Sequence, residues 1–478
     1  MNLKSLFTLL LIACGISKLS AQNLPAKTTW EGNLNNIKII LRVFEDTITK
    51  EKKAEFDVPQ QGAKGLKVSK LIITNDSVAA DAAVMASTYK AAFNTDKTTI
   101  TGVWNQRGGN YPLTFKRIAN VIDKPATVFI RPQMPKGPFP YLEEKVIYHN
   151  ADKSIQYGAT LTLPKLIKPA TAVILITGSG QEDRDETLFG HKLFWVIADH
   201  LSRNGIAVLR VDDRGVGETT GDVKNATSVD FAKDVLVGVN YLKTHAGINP
   251  KNIGLIGHSE GGMIAPIAAV ASKDIAFIVS LAGVGIPGAE ISKRQQADAY
   301  KKLAFTNEEL TQLKALGIQM TELANEKLSE DETKPRFRQL MKNWMDKQPE
   351  SFLQKAGFSG PNAGRTISQM ASMFFSPWAQ YFINYDPATT LGKLTIPVLA
   401  LNGDKDVQVR ADENLAGFTK LLTQAGNKNF KTISLPGLNH FLQHAETGEV
   451  AEYEKIEETI SPEALDIITK WIKELKSR

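Results

Sequence analysis

The feature that most constrains the fold is a glycine-rich turn between an apolar run and a run of small residues. Residues 254–262 read Gly-Leu-Ile-Gly-His-Ser-Glu-Gly-Gly, after an apolar run that ends at Ile256 and before a helix-compatible run over residues 263–271. This order predicts a strand, a sharp turn and a helix, because glycines beside the turn avoid side-chain clashes. Such a turn projects the Ser259 hydroxyl beyond the sheet, in front of a helix N-terminus that favours negative charge. Ser259 is therefore a candidate nucleophile, and the alternative is an ordinary turn between strand and helix.

A serine nucleophile in this turn needs an acid later in the chain, just after a strand. Residues 397–402 are an apolar run that begins with proline, which predicts a buried parallel strand. The loop that follows contains Asp404 and Asp406. We prefer Asp406 as the acid because it lies further into the loop and so has more reach toward a histidine.

The histidine should come next, again beyond a strand. The sequence has seven histidines, of which His440 and His444 qualify, since they follow a predicted strand at residues 432–435. We interpret His440 as the base that takes the proton of Ser259 and returns it to the leaving group, with Asp406 orienting its ring. His444 is expected on a following helix as a polar surface residue.

An acyl-transfer site also needs backbone N–H groups that stabilise the oxyanion. One donor is predicted to be the N–H of Glu260, directly after the serine. The second should follow the strand predicted at residues 171–176, where the chain reads Thr-Gly-Ser-Gly. We assign it to the N–H of Ser179, with the N–H of Gly180 as the alternative.

Four blocks of the sequence resemble a known family. They are residues 178–185, 212–217, 257–262 and 439–440, reading GSGQEDRD, DDRGVG, GHSEGG and NH. Together they resemble the secreted or periplasmic bacterial carboxylesterases of the α/β-hydrolase superfamily, in its serine aminopeptidase-like branch. The resemblance covers nearly the whole mature chain. It implies a small β-rich domain ahead of an α/β-hydrolase catalytic domain, and it is weak for substrate.

The start of the chain resembles an export signal. Residues 1–21 contain Lys4, an apolar core over residues 6–12 and Ala21 at a small-residue cleavage site. The apolar core is too short to span a membrane. We expect cleavage after Ala21 and an exported protein, periplasmic or secreted. The residues that end in Cys14 also resemble a lipoprotein box, and cleavage there gives a membrane-tethered protein. Cys14 is the only cysteine, so disulfides within the chain are excluded.

Two different periodicities divide the mature chain. Residues 27–120 alternate apolar and polar residues, which predicts a small all-β domain, sandwich or barrel. We expect Trp30 and Trp104 in its core, in preference to a sugar-binding platform. Residues 121–140 contain five prolines and are predicted to be a stiff linker.

Residues 141–478 alternate strand and helix patterns, which predicts a mostly parallel sheet with helices on both faces, here an α/β-hydrolase fold. Within them, residues 288–395 form a long insertion with helical spacing of apolar residues, predicted as a helical cap over the site. Some aromatic residues at the end of the cap are candidates for an acyl pocket, with core packing as the alternative. They are Phe374, Phe375, Trp378, Tyr381 and Phe382.

Other ligand classes are not expected. The net charge of +6 comes from dispersed lysines, with no basic run interleaved with aromatics, so nucleic acid is not a predicted partner. Residues 283–288 match G-x-G-x-x-G but contain proline where a dinucleotide-binding helix should start, so no cofactor is predicted. The acidic residues at 182–186 are expected to face Asp212 and Asp213 across adjacent strand ends. Ion pairs of Arg184 and Arg214, in the same loops, are expected to fix these loops, and no metal site is predicted.

These patterns predict a serine hydrolase that cleaves carboxylic esters through an acyl-enzyme on Ser259. Small to medium substrates are expected because a large cap disfavours folded ones. The first alternative is a serine peptidase or aminopeptidase for short peptides, whose amino terminus the acidic residues 182–186 could bind. The second is a catalytically silent protein that binds glycans through the β-domain. The oligomeric state is left open.

Overall fold

The protein is described by a computed structural model that covers residues 27–475 apart from residues 35–36, 47–50, 60–62, 83–84, 86, 107–108, 119–128, 166–168, 303–304, 327, 329 and 361–362. The chain divides into two compact units, residues 1–127 and 128–478. The predicted export signal, with Cys14, and much of the first half of the predicted linker lie outside the described residues.

The first unit is a single antiparallel sheet. Its strands are β1 (Lys27–Leu34), β2 (Ile37–Glu45), β3 (Lys52–Val58), β4 (Ala63–Lys67), β5 (Lys70–Ile73), β6 (Ser77–Ala82), β7 (Ser87–Phe93), β8 (Thr99–Gln106) and β9 (Gly109–Ile118). The order across the sheet is β4-β3-β2-β1-β9-β8-β7-β6-β5. The two outermost strands, β4 and β5, are joined by two residues that span at most about 11 Å. The sheet must therefore curl until its edges meet, which makes it barrel-like.

Aromatic side chains fill this sheet. Trp30 and Trp104 are fully buried, together with Phe56, Tyr89 and Phe115. The indole N–H of Trp30 donates to the Thr28 hydroxyl at 3.1 Å, so burial leaves this polar group satisfied. The prediction that both tryptophans pack in a core is confirmed.

The second unit is built on a mixed sheet. The strands of this unit are β10 (Tyr141–His149), β11 (Gln156–Pro164), β12 (Ala170–Ile176), β13 (Thr187–Leu188), β14 (His191–Lys192), β15 (Ile206–Val211), β16 (Ile248–His258), β17 (Phe277–Leu281), β18 (Val398–Gly403) and β19 (Phe430–Leu435). The order of strands across the mixed sheet is β10-β11-β15-β12-β16-β17-β18-β19. β11 runs antiparallel to both neighbours, and the pairs from β15 to β19 are parallel. β13 and β14 form a separate short hairpin.

Helices cover both faces of this sheet. The helices are α1 (Leu193–Arg203), α2 (Ser228–Thr244), α3 (Gly261–Ala271), α4 (Gly288–Lys302), α5 (Asn307–Asn325), α6 (Glu330–Met345), α7 (Glu350–Lys355), α8 (Ala363–Phe375), α9 (Pro377–Ile383), α10 (Ala411–Gln424), α11 (Val450–Tyr453) and α12 (Pro462–Leu475). α2, α3 and α10 bury apolar side chains in one core, and α1 and α12 bury theirs in the core of the opposite face.

Helices α4 to α9 lie between β17 and β18 in the chain and form the predicted cap. Helices α5 to α8 share an apolar core of their own, centred on Leu316, Phe337 and Trp344. The predicted fold class is confirmed: an α/β-hydrolase sheet with a helical insertion, preceded by a β-rich unit. Within the described part of the chain, none of the helices has both the length and the apolar content to cross a membrane.

Candidate active site

The turn between β16 and α3 has the geometry that the sequence predicts. Ser259 lies between the two elements with a φ of 54°, in the left-handed region. A Cβ atom on Gly257 would lie 2.0 Å from the carbonyl oxygen of Gly261, and one on Gly261 would lie 2.1 Å from that of Ile176. No side chain fits at either distance, so the turn requires both glycines.

Asp406 and His440 form a buried pair. Asp406 follows β18 and His440 follows β19, and Oδ2 of Asp406 accepts a hydrogen bond from Nδ1 of His440 at 2.7 Å. The other oxygen, Oδ1, accepts the backbone N–H groups of Gln408 at 2.8 Å and Val409 at 2.9 Å. The Asp406 side chain is fully buried and that of His440 is 5% exposed. Three hydrogen bonds thus fix the carboxylate, and the carboxylate fixes the ring.

The competing residues lie elsewhere. Asp404 is exposed, and its Oδ1 accepts the backbone N–H of Gly437 at 2.7 Å. His444 is also exposed and its Nδ1 lies 2.9 Å from the Glu458 carboxylate. The expected helix at His444 is wrong, since this residue lies in a loop and pairs with Leu438 in an isolated β-bridge. The expectation that His444 is a surface residue is confirmed.

A cavity of about 290 Å³ brings most of the predicted site together. Its wall includes Ser259, His440, Ser179 and Glu260, and Asp406 lies directly behind His440. The cap closes one side through α4 and α9. The cavity is close to the lower end of the range in which proteins bind small molecules, roughly 300 Å³.

Free backbone donors border this cavity. The N–H of Gly178 is occupied, since it donates to Oε1 of Glu186 at 2.8 Å. The N–H groups of Ser179, Gly180 and Glu260 make no hydrogen bond to any residue that the structure describes. The chain passes close to the serine here, because a Cβ on Gly178 would lie 3.3 Å from the Cβ of Ser259. Ser179 and Glu260 both line the cavity, so these two predicted donors are available to a substrate oxygen, whereas the alternative, Gly180, is not among the lining residues.

His258 and Glu186 form a second buried pair that the sequence did not reveal. Nε2 of His258 donates to the backbone carbonyl of His440 at 3.1 Å, and Nδ1 lies 2.9 Å from Oε1 of Glu186. Burial lowers the pKa of His258, but the Glu186 carboxylate and the hydrogen bonds outweigh burial and raise it. The same Glu186 oxygen holds Gly178, so this pair connects the loop after β12 to the backbone of His440. The only sequence signal is the position of His258 beside Ser259.

Glu182 is a cavity carboxylate that pairs with no cationic side chain among the described residues. Its side chain makes no hydrogen bond or ion pair with the described residues and lines the cavity. Burial raises its pKa to about 7, assisted by the neighbouring charges of Glu186 and Asp183. Near neutral pH this group therefore changes between a neutral acid and a carboxylate at the cavity wall.

The acidic loop is otherwise held by ion pairs. Arg184 forms a loop-fixing ion pair with Asp212 at 2.6 Å, as predicted, and also contacts Glu218 at 2.7 Å. Arg214 does not pair with this loop; it contacts Asp234 on α2 at 2.5 Å instead. In the described residues, no group of three or more His, Cys, Asp and Glu side chains could hold a metal ion.

Two of the five cap aromatics face the cavity. Trp378 and Phe382 stack with ring centroids 5.8 Å apart and both line it. Phe374 and Phe375 pack against the core of the cap, and Tyr381 packs against the main sheet core. The acyl-pocket interpretation therefore applies only to Trp378 and Phe382.

Comparisons with known proteins show the family to which the chain belongs. Residues 171–445 match the family model of the alpha/beta hydrolase fold. Esterase EstD of Thermotoga maritima is 28% identical over 320 residues, which are 65% of this chain and 64% of EstD, just under two thirds of its length. An α/β-hydrolase, GrgF of Penicillium sp. sh18, is 17% identical, with 70% of this chain and 98% of that one covered and a TM-score of 0.43. A Pyrococcus furiosus esterase is 14% identical, with 72% and 98% covered and a TM-score of 0.42. Since the family model matches more than half of its residues, the chain belongs to the α/β-hydrolase fold family.

Proposed function

We propose that the protein is a serine esterase that cleaves small to medium carboxylic esters through an acyl-enzyme on Ser259. The observation that carries the proposal is the buried pair of Asp406 and His440, whose imidazole faces the same cavity as the serine of the turn. The similarity to a protein named an esterase supports the same reaction class.

The proposed chemistry follows from the protonation of His440. Its Nδ1–H donates to Asp406, which leaves the lone pair of Nε2 free to take the proton of the Ser259 hydroxyl. The serine oxygen then attacks the ester carbonyl, and the N–H groups of Glu260 and Ser179 stabilise the oxyanion. When the intermediate collapses, His440 gives its proton to the departing alcohol. Water repeats the sequence on the acyl-enzyme and releases the acid.

The reaction class can be tested with a panel of chromogenic substrates. We expect the wild-type protein to hydrolyse p-nitrophenyl acetate, butyrate and hexanoate, and to cleave amino-acyl p-nitroanilides far more slowly. The cavity volume leads us to expect a sharp loss of rate for long acyl chains. Anilide cleavage that equals ester hydrolysis would contradict the esterase proposal. No turnover of either class, in folded protein, would favour the binding-protein alternative.

Glu182 favours a second candidate, a hydrolase for substrates with an amino group near the scissile bond. An unpaired carboxylate in the cavity wall would attract such a cation, as an aminopeptidase needs for a peptide amino terminus. The attraction should depend on pH. Below about pH 7 the group is mainly the neutral acid, and above it the carboxylate predominates, so cation binding should strengthen as pH rises.

This predicts a pH-dependent preference between a choline ester and its neutral 3,3-dimethylbutyl isostere. In the ratio of the two kcat/KM values, any pH effect that acts equally on both substrates cancels. Between about pH 6 and pH 8 we expect the ratio to rise about three- to tenfold, a modest change because the carboxyl is partly screened by solvent. In Glu182→Gln the ratio should be constant. A ratio that changes equally in the variant would exclude Glu182 as the cause.

Export is a separate proposal, based on residues 1–21 alone. N-terminal sequencing of protein recovered from the cell would distinguish cleavage after Ala21 from lipidation at Cys14.

A further inference from the structure

The residue after the nucleophile has an unusual environment. Glu260 is 2% exposed and its carboxylate is not ion-paired with any described residue. Oε1 accepts the hydroxyl of Ser228 at 2.6 Å and the indole N–H of Trp378 at 2.8 Å. The Ser179 hydroxyl also interacts with the carboxylate. Burial raises the pKa of Glu260, while these three hydrogen-bonding groups lower it.

Each partner belongs to a different part of the site. Ser228 is the first residue of α2, and Trp378 belongs to cap helix α9. Ser179 lies in the loop after β12 and carries the predicted second oxyanion donor on its backbone. One buried carboxylate therefore joins the turn of the nucleophile to the cap and to the oxyanion loop.

The free-energy cost of burying the Glu260 carboxylate indicates that this residue does more than fill space. Burial of a carboxylate without a cation is costly, and hydrogen bonds from neutral donors offset only part of the cost. An apolar side chain would fill the same volume without that cost. What an apolar residue could not supply is an acceptor for the Trp378 indole and a partner for the Ser179 hydroxyl.

We propose that Glu260 is a positioning residue that couples the cap to the oxyanion hole. Its carboxylate holds the indole of Trp378 as one wall of the cavity, and it holds the Ser179 loop at the distance that oxyanion stabilisation requires. The cap wall that selects the acyl group and the donors that stabilise the transition state therefore share one anchor. This inference rests on the proposed esterase function.

The kinetic test compares Glu260→Ala with Glu260→Gln. Alanine leaves the backbone N–H in place but releases both the indole and the loop. Loss of a whole oxyanion donor costs about 10²- to 10³-fold in kcat, so misplacement of one should cost about ten- to a hundredfold. The glutamine amide can accept from Trp378 and Ser228 and donate to Ser179, so it should recover most of that loss. Alanine and glutamine variants with equal kcat would contradict the role.

The cap side of the coupling is tested by Trp378→Phe, which keeps an aromatic ring but removes the N–H. We expect KM to rise several-fold more than kcat falls, and the preferred acyl length to change. Trp344→Phe is the matched control, because its indole N–H donates to the carbonyl of Gln312 inside the cap at 3.2 Å. Its acyl preference should equal that of the wild type. The same shift in both variants would mean that the cap responds to any loss of packing.

Hydrogen–deuterium exchange separates failure of this inference from failure of the esterase proposal, since it requires no substrate. In Glu260→Ala, faster exchange should occur together in α9 and in the loop after β12. In Trp344→Phe, any increase should be confined to the cap. Unchanged exchange in the loop of Glu260→Ala would overturn the coupling, whatever the protein hydrolyses.

Discussion

Replacing Ser259 with alanine should lower kcat/KM for p-nitrophenyl butyrate by about 10⁴-fold or more, and should leave the fold intact. The change removes only the attacking oxygen, and losses of this size are typical when a nucleophile of a triad is removed. The backbone should be unaffected because alanine tolerates the left-handed conformation at φ 54° no worse than serine does. The oxyanion donors remain, so a small residual rate over water is expected.

The measurement is steady-state hydrolysis of wild type and variant, with circular dichroism and thermal unfolding as checks on the fold. Ser272→Ala is a matched control, because Ser272 directly follows α3 and does not line the cavity. It should retain the activity of the wild type. Residual turnover above about one percent in Ser259→Ala would remove Ser259 from the mechanism.

Asp406→Asn should lower kcat by about 10⁴-fold, and Asp404→Asn by no more than about threefold. The reason lies in how Asp406 is held. Its Oδ1 accepts two backbone N–H groups, so an asparagine must place its oxygen there and its NH₂ toward Nδ1 of His440. An NH₂ can only donate, which forces Nδ1 to accept and moves the ring proton to Nε2. A protonated Nε2 cannot take the proton of Ser259.

Asparagine at position 404 has no such effect, because its amide oxygen can still accept the N–H of Gly437. Each variant replaces one carboxylate oxygen of the wild type with an NH₂ group. A comparison of their kcat values therefore isolates the role of the Asp406 carboxylate. The comparison is made at a single pH and does not require activity to be recovered at alkaline pH. The opposite ranking would overturn the assignment of the acid and return Asp404 as the candidate.

The candidate site could be predicted from sequence where local geometry or strand order decides it. Gly257 and Gly261 identify the turn because no other residue fits beside it. Asp406 and His440 could be proposed because residues after adjacent parallel strands meet at one edge of the sheet. Those assignments remain predictions until the variants above are measured.

Contacts between distant elements could not be predicted in this way. Glu186 and His258 lie 72 residues apart, and Glu260 and Trp378 lie 118 apart. No periodicity or motif connects such positions. The sequence also offered five cap aromatics for the pocket, and only the packing of α8 and α9 shows that two of them line the cavity.

The sequence by itself determined the α/β-hydrolase fold class, the turn at Ser259 and the order of the candidate acid and base. These follow from sterics and from apolar periodicity, which act over a few residues and are visible in the chain. Only the tertiary structure decided which buried polar groups satisfy one another around the site. A buried carboxylate such as Glu260 must find donors wherever the fold brings them, and the fold brings them from a helix, a loop and the cap.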